Sequence, residues 1–168
     1  IDGLFDTQNI VLLHGVTSSG KTEIYVKKIE SILAAGKQAL YLVPEIALTS
    51  QLVQRLQKYF GNQIAVYHSR YSQNERLEVW NHVLNQSENA RVVIGARSSV
   101  FLPFSNLGLI IVDEEHEQSY KQFDPSPRYH ARDTAIVLAA LFKAKTLLGS
   151  ATPSLESFHN ATKENKYG

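Results

Sequence analysis

The sequence predicts an α/β fold, a mostly parallel sheet with helices on both faces, and three observations point to it. Short apolar runs recur along the chain with helical patterns between most of them, the alternation that builds a helix-covered parallel sheet. The run Leu107 to Val112 has no polar position to give to solvent, as expected of a central strand covered on both sides. A glycine-bounded loop follows the first apolar run and opens a helix. With 168 residues and 43% hydrophobic content, the chain suffices for one domain with a substantial core and is short for two, so residues 1–168 are read as a single domain.

Taken in order, Ile10 to Leu13 reads as a buried strand and Thr22 onward as a helix, with Tyr25, Ile29, Ile32 and Leu33 on one face and a stop at Gly36. Ala39 to Val43 is the second strand. A helix carrying Leu48, Leu52, Leu56 and Tyr59 follows and stops at Gly61. Ile64 to Tyr67 is the third strand. Ser72 with Glu75 three residues later announces a capping box, and Leu77, Trp80 and Leu84 supply that helix's expected buried stripe, which makes Trp80 structural. Strands are then expected at Val92–Ile94, Leu109–Val112 and Thr146–Leu148, with Asp124-Pro125-Ser126-Pro127 as the longest loop signal and a helix beginning close to Tyr167-Gly168.

Two segments carry chemistry. Gly15-Val16-Thr17-Ser18-Ser19-Gly20-Lys21-Thr22 satisfies G-x-x-x-x-G-K-[ST] between a strand and a helix. In such a loop backbone N–H groups and the helix N-terminus face phosphates, Lys21 adds positive charge, and the Thr22 hydroxyl can ligate Mg²⁺. Asp113-Glu114-Glu115-His116 follows the most apolar strand. Asp113 is placed to hold the Mg²⁺ of a bound nucleotide, and Glu114 to orient and deprotonate an attacking water. Alone, either segment has an ordinary alternative, a Gly/Ser turn or a solvated acidic loop; together each supplies what the other lacks, with Lys21, Asp113 and Glu114 as the catalytic candidates.

Composition bounds the rest. The absence of Cys excludes disulfides and thiolate metal sites, so zinc is not expected. No long apolar run argues for membrane insertion, and the composition suits the cytoplasm. A formal charge of +1 gives no overall basic field, so contacts to nucleic acid would rest on local donors. The start at Ile1-Asp2-Gly3 and the absence of Met imply a piece of a longer protein. His68 and His130 have no partner at a ligand spacing.

Further segments fall at expected strand ends: Val43-Pro44-Glu45-Ile46-Ala47-Leu48-Thr49, His68-Ser69, Arg76 with Trp80, Gly95 through Phe101 with Pro103, Ser119-Tyr120-Lys121-Gln122, Arg128-Tyr129-His130-Ala131-Arg132-Asp133, and Gly149-Ser150-Ala151-Thr152-Pro153-Ser154. With the two phosphate-site motifs, and in this order, they resemble the superfamily 2 DNA helicases, and within them the bacterial replication-restart helicases, across nearly the whole chain.

The resemblance implies a RecA-like first motor lobe that binds ATP and Mg²⁺ and is incomplete without a second lobe and its arginine finger. It implies 3′-to-5′ unwinding at stalled or repaired forks, with single-stranded and forked DNA, single-strand DNA-binding protein and replicative-helicase loading proteins as partners, in the bacterial cytoplasm. Another superfamily 2 translocase, an RNA helicase, or a nucleotide-binding module without turnover are the alternatives. A DNA strand would cross the sheet's tips at Pro44, Glu45, Thr49, Arg97, Ser98 and Ser99; Thr49 could instead be a helix cap and Arg97 a surface ion pair. Tyr120, Lys121, Arg128 and Tyr129 would form an aromatic, cationic loop that stacks on unpaired bases and couples DNA binding to hydrolysis, unless Tyr120 and Phe123 pack beneath it as a small core. His116 would link the ATP site to Ser150 and Thr152, or be a buried hydrogen-bonded histidine. The helix that in this family carries an adenine-reading Gln upstream of the first strand is expected to be missing; Gln8 stands too close to that strand to replace it.

Overall fold

A computed structural model describes residues 1–16 and 20–168 of the chain. Six strands, β1 (Ile10–His14), β2 (Gln38–Leu42), β3 (Ile64–Tyr67), β4 (Val92–Gly95), β5 (Leu107–Asp113) and β6 (Lys145–Ser150), form one sheet in the order β1-β6-β5-β2-β4-β3. Every strand pairing is parallel. All six C-terminal ends therefore lie along one edge, where open α/β sheets place their ligands.

Strand alternation sorts the side chains onto two layers. Ala39, Tyr41, Ile94, Ile111 and Leu147 pack beneath α2 (Lys21–Ala34) and α3 (Ser50–Phe60), joined by Tyr25, Ile29 and Leu56. Leu40, Leu42, Val93, Ile110, Val112 and Leu148 face the other way, onto α4 (Gln73–Leu84) and α5 (Ala131–Phe142). Burial on both faces explains why β5 carries no polar residue before Asp113, and each such aliphatic side chain contributes roughly 1.5–3 kcal/mol. The helix–strand–helix order and the parallel sheet are those of a RecA-like domain.

Local chemistry accounts for most boundaries. α2 ends before Gly36, which takes a left-handed φ of 75°. Thr49 caps α3 by accepting from Leu52 N, and both halves of the Ser72–Glu75 capping box form at the start of α4.

Three helical expectations fail. In α4 the sheet is met by Val79 and the fully buried Val83, while Leu77, Trp80 and Leu84 are exposed, Trp80 at 40%. The helix is apolar on two sides, and the buried Gln38 donates its amide to the Val83 carbonyl at the end of the inward face. Arg76 and Trp80 then border an open crevice with Tyr67, and the guanidinium lies 5.8 Å from the Tyr67 ring centre. In α3, Leu48 lies in the turn before the helix, and Phe60 rather than the exposed Tyr59 enters the core. A short helix, α1 (Asp2–Thr7), precedes β1 and contains no Gln. The third failure is the last helix, α6 (Leu155–Thr162), which begins well before Tyr167; the backbone of Gly168 pairs with Ile10 and Leu12 on the outer edge of β1.

Candidate functional site

The first half of the site is built where β1 gives way to α2. Gly20 sits at the helix cap with φ 82°, a conformation open to glycine at little cost, and Lys21 and Thr22 open the helix. Thr17, Ser18 and Ser19 lie outside the described residues, so their expected phosphate contacts have no geometry here. Lys21 is buried; its ammonium donates to Gly15 O at 2.7 Å and Val16 O at 3.4 Å. It also stands 3.7 Å from the carboxylate of Glu114.

The second half comes from β5 in the middle of the sheet. Asp113 is its last residue, and three phenols converge on it. Tyr25 donates to Oδ1 at 2.9 Å, Tyr41 to Oδ2 at 3.1 Å, and Tyr120 to the backbone carbonyl at 2.6 Å. Burial pushes the Asp113 pKa above its ordinary value, and the bonds from Tyr25 and Tyr41 work against that shift by favouring the ionised form. Burial beside Asp113 also raises the pKa values of Tyr25 and Tyr41, so both remain donors. Glu114 takes a left-handed φ of 47°, strain of a kind that gathers at functional sites. Its carboxylate lies between Lys21 and His116, whose Nδ1 is 3.8 Å away.

Among the described residues, Gly20, Lys21, Thr22, Glu23, Arg55, Asp113 and Glu114 line an open cavity of about 570 Å³. A nucleotide with its magnesium ion fits this donor set. Lys21 and the N–H groups at the start of α2 suit phosphate, Thr22 and Asp113 offer hard oxygen ligands, and Asp113 Oδ2 keeps a lone pair beyond its bond from Tyr41, while Oδ1 accepts from both Tyr25 and Glu114 N.

Around the pocket, His116 joins the ends of β5 and β6. Its Nδ1 lies 2.7 Å from Ser150 Oγ and its Nε2 3.3 Å from Thr152 Oγ1, while Thr152 N donates to Ser150 Oγ. The three residues expected to communicate are thus in direct contact.

The strand-tip residues divide. Thr49, Ser98, Lys121 and Arg128 are exposed. Thr49's hydroxyl is the α3 cap, the ordinary alternative for this residue, and remains at the surface. Arg97 points across to the aromatic loop, where it donates to Lys121 O at 2.8 Å. Tyr129 packs edge-on against Phe101 at 4.8 Å, and Lys121 sits 5.0 Å over Phe123. Glu45 is exposed and accepts from the Ser69 hydroxyl. Three expected DNA contacts are corrected. Pro44 is buried, with its carbonyl taken by Ala47 N. Ser99 is fully buried: it fills the space a side chain at Gly95 would need and donates to Tyr67 O. Tyr120 is 1% exposed and anchors the loop to Asp113 instead of meeting bases, whereas Phe123 stays at the surface.

Sequence reasoning missed three groups. Tyr25 was read only as part of a helix's apolar face and Tyr41 was covered only by the second strand, although Tyr25 stands four residues after Lys21 and so shares its helix face. Arg55 reaches the cavity from α3 and pairs with Glu23 on α2. Glu115, fully buried, forms an ion pair with Arg132 at 3.1 Å and also accepts from Ser154 N, Ser154 Oγ and Ser157 Oγ. Gln8 gives its amide to Asn165 O, away from the pocket.

The model of the DEAD/DEAH box helicase family matches residues 3–161. The chain is 52% identical over 158 residues to the replication restart protein PriA of Bacillus subtilis, covering 94% of this chain and 19% of that protein. It is 57% identical over 152 residues to PriA of Haemophilus influenzae, covering 90% of this chain and 20% of that one. Among solved structures, RecG bound to a three-way DNA junction superposes with a TM-score of 0.66 at 26% identity, over 95% of this chain and 20% of RecG. The chain thus spans about a fifth of the length of the relatives it matches.

Proposed function

Because this chain belongs to the DEAD/DEAH box helicase family, we propose that it is the first, ATP-binding motor lobe of a 3′-to-5′ DNA helicase that remodels stalled or repaired replication forks and helps restart replication. The observation that carries the reading is the convergence of Lys21, Asp113 and Glu114 in one cavity, with His116 leading from Glu114 to Ser150 and Thr152. The similarity to PriA proteins supports the biology, and the RecG structure's junction DNA supports a forked substrate.

In this reading Lys21 leaves its carbonyl partners for the nucleotide phosphates, and Glu114 takes the proton of the attacking water. A bound Mg²⁺ neutralises developing phosphate charge. Thr49, Arg97, Ser98, Lys121, Arg128 and Tyr129 lie at the strand ends, where a DNA strand would be held through its phosphates and stacked bases. Closure against a second lobe would complete the site, and single-strand DNA-binding protein and helicase-loading proteins would act with the whole machine in the bacterial cytoplasm.

The test is ATP hydrolysis with Mg²⁺, with and without single-stranded DNA, by this chain and by the longer protein that contains it. The chain alone binds nucleotide without DNA-stimulated turnover. In the longer protein Glu114→Gln keeps binding and slows hydrolysis by roughly a hundredfold or more, while Lys21→Ala removes most of the nucleotide affinity. Equal loss of binding in both variants would refute this division of roles. DNA-stimulated turnover by the chain alone, abolished by Glu114→Gln, would refute the half-motor reading.

A further inference from the structure

The carboxylate of Asp113 is held in an unusual way. Both its oxygens accept hydrogen bonds from buried tyrosines, Tyr25 at 2.9 Å and Tyr41 at 3.1 Å. Neither ring has measurable exposure, and the two meet edge-on with centres 5.5 Å apart. They come from different elements: Tyr25 from the helix that Lys21 opens, Tyr41 from the strand that leads into the Pro44–Thr49 loop. A third residue keeps space for this arrangement. Gly149 lies opposite Asp113 on the neighbouring strand, and a Cβ there would fall 1.7 Å from the Tyr25 hydroxyl.

Two phenols at one carboxylate do more than fill a core. A phenylalanine pair would pack almost as well without placing hydroxyls in an apolar layer, where a polar group costs free energy unless it is bonded. What the hydroxyls add is orientation. Oδ1 accepts from Tyr25 and from Glu114 N at 3.1 Å, and Oδ2 from Tyr41 alone, so donors on both oxygens fix the rotation of the carboxylate and aim the remaining lone pair of Oδ2. We propose that Tyr25 and Tyr41 are positioning residues that lock the Asp113 carboxylate in the orientation needed to receive the Mg²⁺ of a bound nucleotide, with Gly149 as the gap that admits Tyr25. This rests on the nucleotide-binding reading above and extends it to residues that touch neither nucleotide nor metal.

The experiment measures ADP affinity by titration calorimetry in Mg²⁺ and again in EDTA; the ratio of the dissociation constant in EDTA to that in Mg²⁺ reports the contribution of the metal, independently of turnover. The wild-type ratio exceeds one. In Tyr25→Phe and in Tyr41→Phe it falls by several-fold, and by roughly tenfold or more in the double variant, the scale of losing bonds to a charged acceptor. Affinity in EDTA holds in all three. Gly149→Ala, which displaces the Tyr25 hydroxyl, lowers the ratio as Tyr25→Phe does. Tyr120→Phe is the control for general loosening, since Tyr120 bonds the Asp113 carbonyl and not the carboxylate; it lowers the melting temperature and keeps the ratio. Should the double variant fail to fold, the single variants decide. A ratio unchanged in both single variants overturns the proposal, as does an equal fall in Tyr120→Phe. A wild-type chain with no Mg²⁺-dependent gain would instead overturn the nucleotide-site reading itself.

Discussion

Removing either partner of the buried Glu115–Arg132 pair tests whether the acidic motif is tied to the Ser150–Ser157 segment. Glu115 has no exposed surface and accepts four hydrogen bonds, from Arg132 at 3.1 Å, Ser154 N at 2.7 Å, Ser154 Oγ at 3.1 Å and Ser157 Oγ at 2.9 Å. Arg132 also bonds Asp133 and Glu156, whose side chains are 58% and 77% exposed. The two deletions are therefore unequal. Glu115→Ala leaves Arg132 with two carboxylates at the surface, whereas Arg132→Met leaves a buried Glu115 supported by neutral donors alone. Breaking a buried pair costs about 3–5 kcal/mol, so Glu115→Ala falls near about 3 and Arg132→Met near about 5 on that scale. At about 2–4 °C per kcal/mol for a chain of this size, the melting temperature drops by about 6–12 °C and about 10–20 °C. Urea unfolding followed by circular dichroism measures both, and in a double-mutant cycle with Glu115→Gln the coupling between the two sites is at least about 1 kcal/mol. A loss below about 1 kcal/mol in Arg132→Met, or strict additivity in the cycle, would refute the claim that this pair joins the two segments.

Two smaller tests address the surface and the pH response. Trp80→Ala costs no more than about 1 kcal/mol in urea unfolding, because the ring stands at the surface, whereas a core tryptophan would cost about 3–5 kcal/mol; a loss in the higher range would return Trp80 to the core. His130 titrates below its ordinary value of 6.5 because burial and Arg132 disfavour its charge, offset in part by Asp133, Glu156 and Glu115. The unfolded chain thus takes up this proton first, and the contribution to stability is present above 6.5 and lost as pH falls from there through the lower native value. The urea midpoint of the wild type drops between pH 7.5 and 5.5 more than that of His130→Gln; equal drops would show that His130 does not carry the effect.

The parts of this molecule that were legible in the sequence are those written in local rules, and the parts that were not depend on which groups meet across the sheet. All six strands were expected within two residues at either end, because burial on both faces leaves a continuous apolar run and Gly36 and Gly61 mark where helices stop. The Ser72–Glu75 cap was equally readable, since both partners stand in one turn. Helix orientation was not. In α4 the large residues Leu77, Trp80 and Leu84 make the more conspicuous stripe, yet Val79 and Val83 face the core, where Gln38, far off in sequence, bonds the Val83 carbonyl. The strand-tip residues show the same limit. Ser98 and Ser99 are neighbours of one chemical type, but the turn directs Ser98 to solvent and Ser99 against Gly95 and Tyr67, and no periodicity separates them. Tyr120 has the polar handle and aromatic face of a base-stacking residue, and its hydroxyl is spent on Asp113. Buried polar groups must find partners, so a tyrosine or glutamate in an apolar setting signals a network without naming its members. Tyr25, Tyr41 and Tyr120 were each visible as residues; that all three converge on Asp113 is a property of the fold alone.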